Sequence, residues 1–229
     1  MRTQGQRTQG QRAAFFDLDN TLIDGSSIYY FVRGMTKSGE IKNRDIFRFA
    51  WDNYRFRKSR EENTSNMAYA TKRILDFARG RSHSTISELC EEIVHDFLPK
   101  KLFPQMKERI EEHQSIGHHT WIVSASPIEI ASVVARKLGM TGAIATTGEV
   151  IDGHYSGNLP DGAMHGINKA HAVRSLASVN SYDLKNSFAY SDSVNDLPLL
   201  VSVGNPFIVN PNKALKVIAT KNEWPVLVA

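Results

Sequence analysis

Apolar positions change their period twice along the chain. Residues 13–16 (AAFF) form a short continuous apolar run, the pattern of a strand buried on both faces. From Ile28 to Lys101 no strand-like alternation remains, and apolar residues recur at helical spacing. Ile46, Phe49, Ala50, Asn53, Tyr54 and Arg57 trace one such face; Ile86, Leu89, Cys90, Ile93, Val94 and Phe97 trace another. From Phe103 onward helix and strand signals alternate. "PQMKERIEEHQSIG" predicts a helix with Pro104 near its start and Gly117 past its end. "TWIVSAS" predicts a strand, and "SPIEIASVVARKLG" a helix with Ser126 as N-cap, Pro127 at the first helical position and Gly139 at the close. "AIATTGEVIDGHYSG" reads as a β-hairpin, "NKAHAVRSLAS" as a helix, "SFAYSDS" as a strand, and "NDLPLLVSVGNPFIV" as a short helix returning to a strand.

Such alternation predicts an α/β fold with a doubly wound, mostly parallel, Rossmann-like sheet. The expected organisation is a core made of residues 13–27 and 102–229, with residues 28–101 inserted after the first strand as a helical domain. Residues 1–12 repeat "RTQGQ" and hold no apolar residue after Met1. Too little surface is available there to repay ordering, so a disordered basic tail is expected.

Composition narrows the classes of function. The 229 residues are 41% hydrophobic and 23% charged, ordinary for a soluble domain with a sizeable core. No apolar run approaches the roughly 18 residues of a membrane span, and no apolar signal core stands near the N-terminus, so a cytoplasmic location is expected. Cys90 is the single cysteine, which excludes an internal disulfide and a cysteine-based metal cluster. The net charge of +4 is mild but concentrated from Arg33 to Arg60, a distribution that suits an anionic substrate.

Three predicted strands end in polar groups: Asp17 and Asp19, then Ser124, then Asp192 and Asp196. In open α/β sheets ligands bind beyond the carboxyl ends of the strands, so these groups should converge. Residues two apart in extended chain project to one side, which lets Asp17 and Asp19 share a target while Leu18 packs inward. Their mutual repulsion calls for a cation, and a magnesium ion held by a few carboxylates and a substrate phosphate answers it. An EF-hand reading of the same residues fails. Counting from Asp17, Leu22 stands where glycine is needed and Ile28 where a bidentate glutamate belongs.

FFDLDNTL, IVSAS, the lone Lys169 and YSDSVNDLPLL, in that order, resemble the haloacid dehalogenase superfamily, in particular its phosphoserine-phosphatase-like branch, subfamily IB. The resemblance covers nearly the whole chain after the tail, with the helical insert where the family carries its cap domain. It implies a magnesium-dependent phosphomonoester hydrolase acting through an aspartyl-phosphate on a small phosphorylated metabolite. In that reading Asp17 is the nucleophile, and Asp19 protonates the leaving group and then deprotonates the attacking water. Magnesium is held by Asp17, the Asp19 carbonyl and Asp192, with Asp196 supporting that end. Ser124 and Lys169 bind the phosphoryl oxygens, and Thr21 shapes the first loop.

Several positions depart from dedicated phosphoserine phosphatases. Those enzymes resemble this chain but carry a glutamate nine residues after the nucleophile to meet the substrate ammonium; Ser26 stands there, with Asp24 two residues earlier. SAS followed by Pro127, and Ser191 before Asp192, replace the glycines of relatives. Substrate selection is therefore expected from Asp24, Ser26, Asn195 and the basic insert residues Arg55, Arg57 and Arg60, the last three suiting a more anionic substrate. His118, His119, His154, His165 and His171 form no metal motif. Two other readings stay open: a phosphomutase of the same superfamily, and a module in which basic tail and insert grip an anionic polymer or membrane. Clustered aspartates disfavour the second, and no nucleic-acid partner is expected.

Overall fold

The computed structural model of the chain describes residues 10–37, 71–72 and 74–229. Its centre is a six-stranded sheet ordered β3-β2-β1-β6-β7-β8, built from β1 (Ala13–Phe16), β2 (His119–Pro127), β3 (Gly142–Thr146), β6 (Phe188–Ser191), β7 (Asn205–Val209) and β8 (Val226–Leu227). Every pairing in it is parallel. All four residues of β1 are fully buried, as a central strand covered on both faces requires. β1 lies between β2 and β6, so the chain runs to one side through β2 and β3 and to the other through β6, β7 and β8. The strand order reverses at β1, and the crevice above that point is where doubly wound folds bind ligands.

Among the described residues the helices include α1 (Ser27–Lys37), α2 (His83–Lys101), α3 (Pro104–Ser115), α4 (Ile128–Lys137), α5 (Ile167–Asn180), α6 (Leu197–Leu200) and α7 (Lys213–Lys221). One apolar cluster joins Phe16 and Ile122 of the sheet to Phe31 of α1, Val94 and Phe97 of α2, Ile110 of α3 and Val134 of α4. A second covers the opposite face with Phe15, Val123, Val173, Leu200 and Leu215. Among the described residues no helix is long and apolar enough to cross a membrane.

α2 starts on Ser82, whose side chain accepts from Thr85 N–H, and ends with Lys100 and Lys101 against its negative pole. Ile86, Cys90, Ile93, Val94 and Phe97 are buried on it, as their spacing predicted. The face traced from Ile46 to Arg57 lies outside the described residues. The chain leaves and re-enters the core side by side, since Ile23 pairs antiparallel with Leu102 and Asp24 N–H donates to Lys101 O at 2.7 Å.

Three local expectations need correction. β2 runs through Pro127, and Ser126 caps nothing, because its backbone and side chain are committed to neighbouring serines. "AIATTGEVIDGHYSG" divides: Gly142–Thr146 joins the main sheet in parallel, and only β4 (Val150–Ile151) and β5 (His154–Tyr155) make the hairpin. Pairing with buried β2 satisfies more backbone groups than a long isolated hairpin would. Residues 10–12, expected within the tail, are tied to the core: Asp183 N–H donates to Gln11 O at 2.9 Å and His119 N–H to Arg12 O at 3.1 Å.

Candidate active site

The loop after β1 folds tightly upon itself. Asp17 N–H donates to Tyr190 O at 2.9 Å, continuing the ladder to β6 one residue past the strand. Leu22 and Ile23 N–H both return to Leu18 O, while Asn20 N–H reaches Gly25 O at 3.1 Å. Gly25, at φ 103°, permits the turn that delivers the chain to α1. Leu18 and Leu22 are fully buried beneath it, so Asp17 and Asp19 are directed by packing on the residues between and after them.

Asp17 receives Lys169 Nζ at 2.6 Å, and the same nitrogen donates to Asp196 Oδ2 at 2.7 Å. Lys169 is 3% exposed, Asp17 6% and Asp196 2%, so this is a buried triad with one positive and two negative groups. Burial, opposed by Lys169 and reinforced by Asp196, pushes the Asp17 pKa up to about 7. Burial also works against the Lys169 charge, yet the two carboxylates outweigh it and push that pKa up. Asp196 additionally accepts Ser191 Oγ at 2.7 Å, so Ser191 helps to fix the carboxylate that fixes the lysine.

Asp19 is handled separately. Ser27 N–H, at the start of α1, donates to its Oδ1 at 2.9 Å, where a helix leaves its first N–H groups free and favours negative charge. Burial raises the Asp19 pKa, and hydrogen bonds from Ser27 and Ser26 pull it partly back. Two aspartates two residues apart thus sit in different settings, one against a buried ammonium and one against a helix start.

The other expected residues distribute as follows. Thr21 is fully buried and accepts Asp192 N–H at 3.0 Å, with its hydroxyl 3.3 Å from Asp192 Oδ1. It locks the loop after β1 to the loop after β6 and thereby brings Asp192 to the Asp17 side. Ser124 Oγ donates to Ser126 Oγ at 3.0 Å, and Ser126 Oγ meets Ser27 Oγ at 2.6 Å, so a serine chain links the end of β2 to the residue that holds Asp19. Asn195 lies in the short turn after Asp192, its N–H bound to Ser193 Oγ at 3.1 Å. Asp24 is engaged by Lys101 Nζ at 2.9 Å, and the Ser26 side chain is a hydrogen-bond partner of Asp19. Arg55, Arg57 and Arg60 lie outside the described residues.

Ser126 and Ser191 entered the sequence reading only as cap and departure, and Ser27 not at all. Their signal was the density of serine at each strand end, in DGSS, SAS and YSDS. The triad and its flanking carboxylates can position an attacking carboxylate beside a fixed cation, with a second acid oriented independently.

Comparison with known proteins agrees. The sequence profile of the haloacid dehalogenase-like hydrolases matches residues 14–201. Phosphoserine phosphatase SerB1 of Mycobacterium tuberculosis is 38% identical over 214 residues, spanning 93% of this chain and 70% of that protein. Histidinol-phosphatase of Neisseria meningitidis is 30% identical over 222 residues, spanning 93% and 97% of the two chains. Among solved structures, a Bordetella pertussis protein of unknown function superimposes with a TM-score of 0.82 at 28% identity, covering 96% of this chain and 99% of its own. With the motifs at the ends of β1, β2 and β6 and the profile spanning all of them, the chain belongs to the haloacid dehalogenase-like hydrolase family.

Proposed function

We propose that this chain hydrolyses phosphate monoesters of small alcohols through an aspartyl-phosphate on Asp17. The observation that carries the reading is the buried Asp17–Lys169–Asp196 triad with Asp19 oriented apart from it by Ser27. Relatives named as phosphatases of phosphoserine and of histidinol phosphate support the substrate class.

In the first step an Asp17 carboxylate oxygen attacks phosphorus while the bond to the leaving oxygen breaks, and Asp19 gives that oxygen its proton. In the second, Asp19 takes a proton from water as the water attacks phosphorus, and the bond to Asp17 breaks to release inorganic phosphate. Lys169, fixed between Asp17 and Asp196, holds positive charge beside the transferring group; Asp196 is a positioning residue for it. Ser124 on β2 would bind the phosphoryl oxygens by turning its hydroxyl away from Ser126 Oγ.

The donor set fits magnesium. Among the described residues Asp17, Asp19, Asp192 and Asp196 oppose one lysine, which leaves an excess of negative charge beyond the carboxyl ends of the central strands. Among the described residues no three acidic, histidine or cysteine side chains gather closely enough to enclose a metal. Magnesium keeps several waters and is completed by phosphate, so it needs no such cage. Asp17, Asp192 and the Asp19 carbonyl would hold it, and when bound it supplies the charge that offsets the phosphoryl oxygens.

Asp17→Asn should lower phosphate release from p-nitrophenyl phosphate by at least about a thousandfold in folded protein. Removing magnesium with EDTA should silence the wild type, and readdition should restore it. Activity persisting in Asp17→Asn excludes Asp17 as nucleophile. Free phosphate as the product distinguishes hydrolysis from a mutase.

A further inference from the structure

Beside the catalytic loops, α1 and α2 face the end of β2 and the β4–β5 hairpin across a cleft of about 610 Å3, its open mouth included. The cleft adjoins the candidate site covalently. Ile28, which lines it, follows Ser27, whose N–H holds Asp19; Ala125 and Pro127, which also line it, flank Ser126 of the serine chain.

Its walls are apolar, with Phe31 and Phe77 on one side, and Glu129 is the one charged side chain among the described residues that line it. Glu129 stands in the first turn of α4. Tyr155, 5% exposed, donates its hydroxyl to Glu129 Oε1 at 2.5 Å. Burial and then that hydrogen bond push the Tyr155 pKa up, so the phenol remains a donor. Cys90 on α2 faces the same space, and after burial the Glu129 charge is what raises its thiol pKa. Among the described residues no lysine or arginine bonds Glu129. Aromatic walls with a fixed carboxylate that no cation among the described residues meets favour a ligand that brings both apolar surface and positive charge.

We infer that this cleft is the leaving-group subsite and that Glu129, held by Tyr155, selects phosphate esters whose alcohol is apolar and carries a cationic nitrogen. The inference rests on the phosphomonoesterase reading and departs from the anionic substrate suggested by Arg55, Arg57 and Arg60. It also supplies a physical answer to Ser26. The residues of the first loop are committed to Asp19 and Lys101, and the carboxylate that meets the leaving group comes from α4.

The test is steady-state phosphate release by the full chain with magnesium from three probes: phenylalaninol phosphate, 3-phenylpropyl phosphate, which lacks only the amine, and p-nitrophenyl phosphate. The wild type should prefer the aminated ester about tenfold or more in kcat/KM. Glu129→Gln should shrink that preference to within about twofold, and Tyr155→Phe should reduce it mainly through KM. A wild-type ratio near one, or a ratio that survives Glu129→Gln, overturns the inference. So does release from p-nitrophenyl phosphate alone, which leaves the phosphatase reading standing. No release from any probe overturns the phosphatase reading, and this inference with it. Should Glu129→Gln not fold, the wild-type ratio and Tyr155→Phe still decide.

Discussion

Among the described residues Lys169 is the single cation between two buried carboxylates, and removing it leaves both without a counter-charge. Each would then face the other in a medium that poorly screens charge, where breaking a buried pair costs about 3 to 5 kcal/mol. Lys169→Ala should therefore lower unfolding stability by about that amount in urea titrations, besides impairing turnover. An unchanged urea midpoint would show that the carboxylates find other partners, contrary to the contacts at 2.6 and 2.7 Å. Asp19 should behave differently. It bonds a helix start and neighbouring hydroxyls, so Asp19→Asn should spare stability while slowing hydrolysis.

Where α3 packs against β6, the helix carries a buried histidine that catalysis does not use. His113 Nε2 lies 2.8 Å from Tyr190 Oη, and its Nδ1 lies 2.9 Å from His118 Nδ1. Phe16 and Phe188 pack edge-on and tilted against the ring. Burial, with the nearby His118 and Arg109 adding to it, pushes the His113 pKa down from 6.5 to about 4. The folded state thus binds this proton less readily than the unfolded chain. The contribution of His113 to stability is complete above pH 6.5 and is lost progressively as pH falls toward 4. Thermal melts across that window should show the midpoint dropping, and His113→Gln, which cannot protonate there, should flatten part of the slope. Equal slopes in the two proteins would mean that other groups carry the acid sensitivity.

For the molecule entire, one apolar cluster crosses from sheet to inserted helices, running from Phe16 and Ile122 to Phe31, Val94 and Phe97. An insert with its own core could unfold alone; one sharing the core of the sheet should not. Cys90 on α2, 1% exposed, offers a reporter, because burial and the Glu129 charge keep its thiol unreactive in the folded state. Thiol labelling of Cys90 and tryptophan fluorescence, which includes Trp121 on β2, should give coincident midpoints in urea. Separate midpoints would make α1 and α2 an independently stable unit.

The short apolar run AAFF, the serine-rich strand ends and the order of the aspartate motifs were readable without coordinates, because strand burial and ligand placement leave local signatures in residue type and period. From these came the doubly wound core, the insertion point and the candidate residues Asp17, Asp19, Ser124, Asp192 and Asp196, whereas Lys169 entered only through the family resemblance. Partner choice left no such signature. Lys169 reaches Asp17 across 152 positions and Thr21 reaches Asp192 across 171, so their pairing depends on β6 lying beside β1. Likewise Gly142–Thr146 could be heard as half of a hairpin until β2 was available to pair with it. Asp24 was a free carboxylate in the sequence and is a salt-bridged one in the fold; Glu129 was one helix residue among many and becomes the charge in the cleft. Local pattern specifies which side chains can do chemistry, whereas only the closing of long loops determines which of them meet.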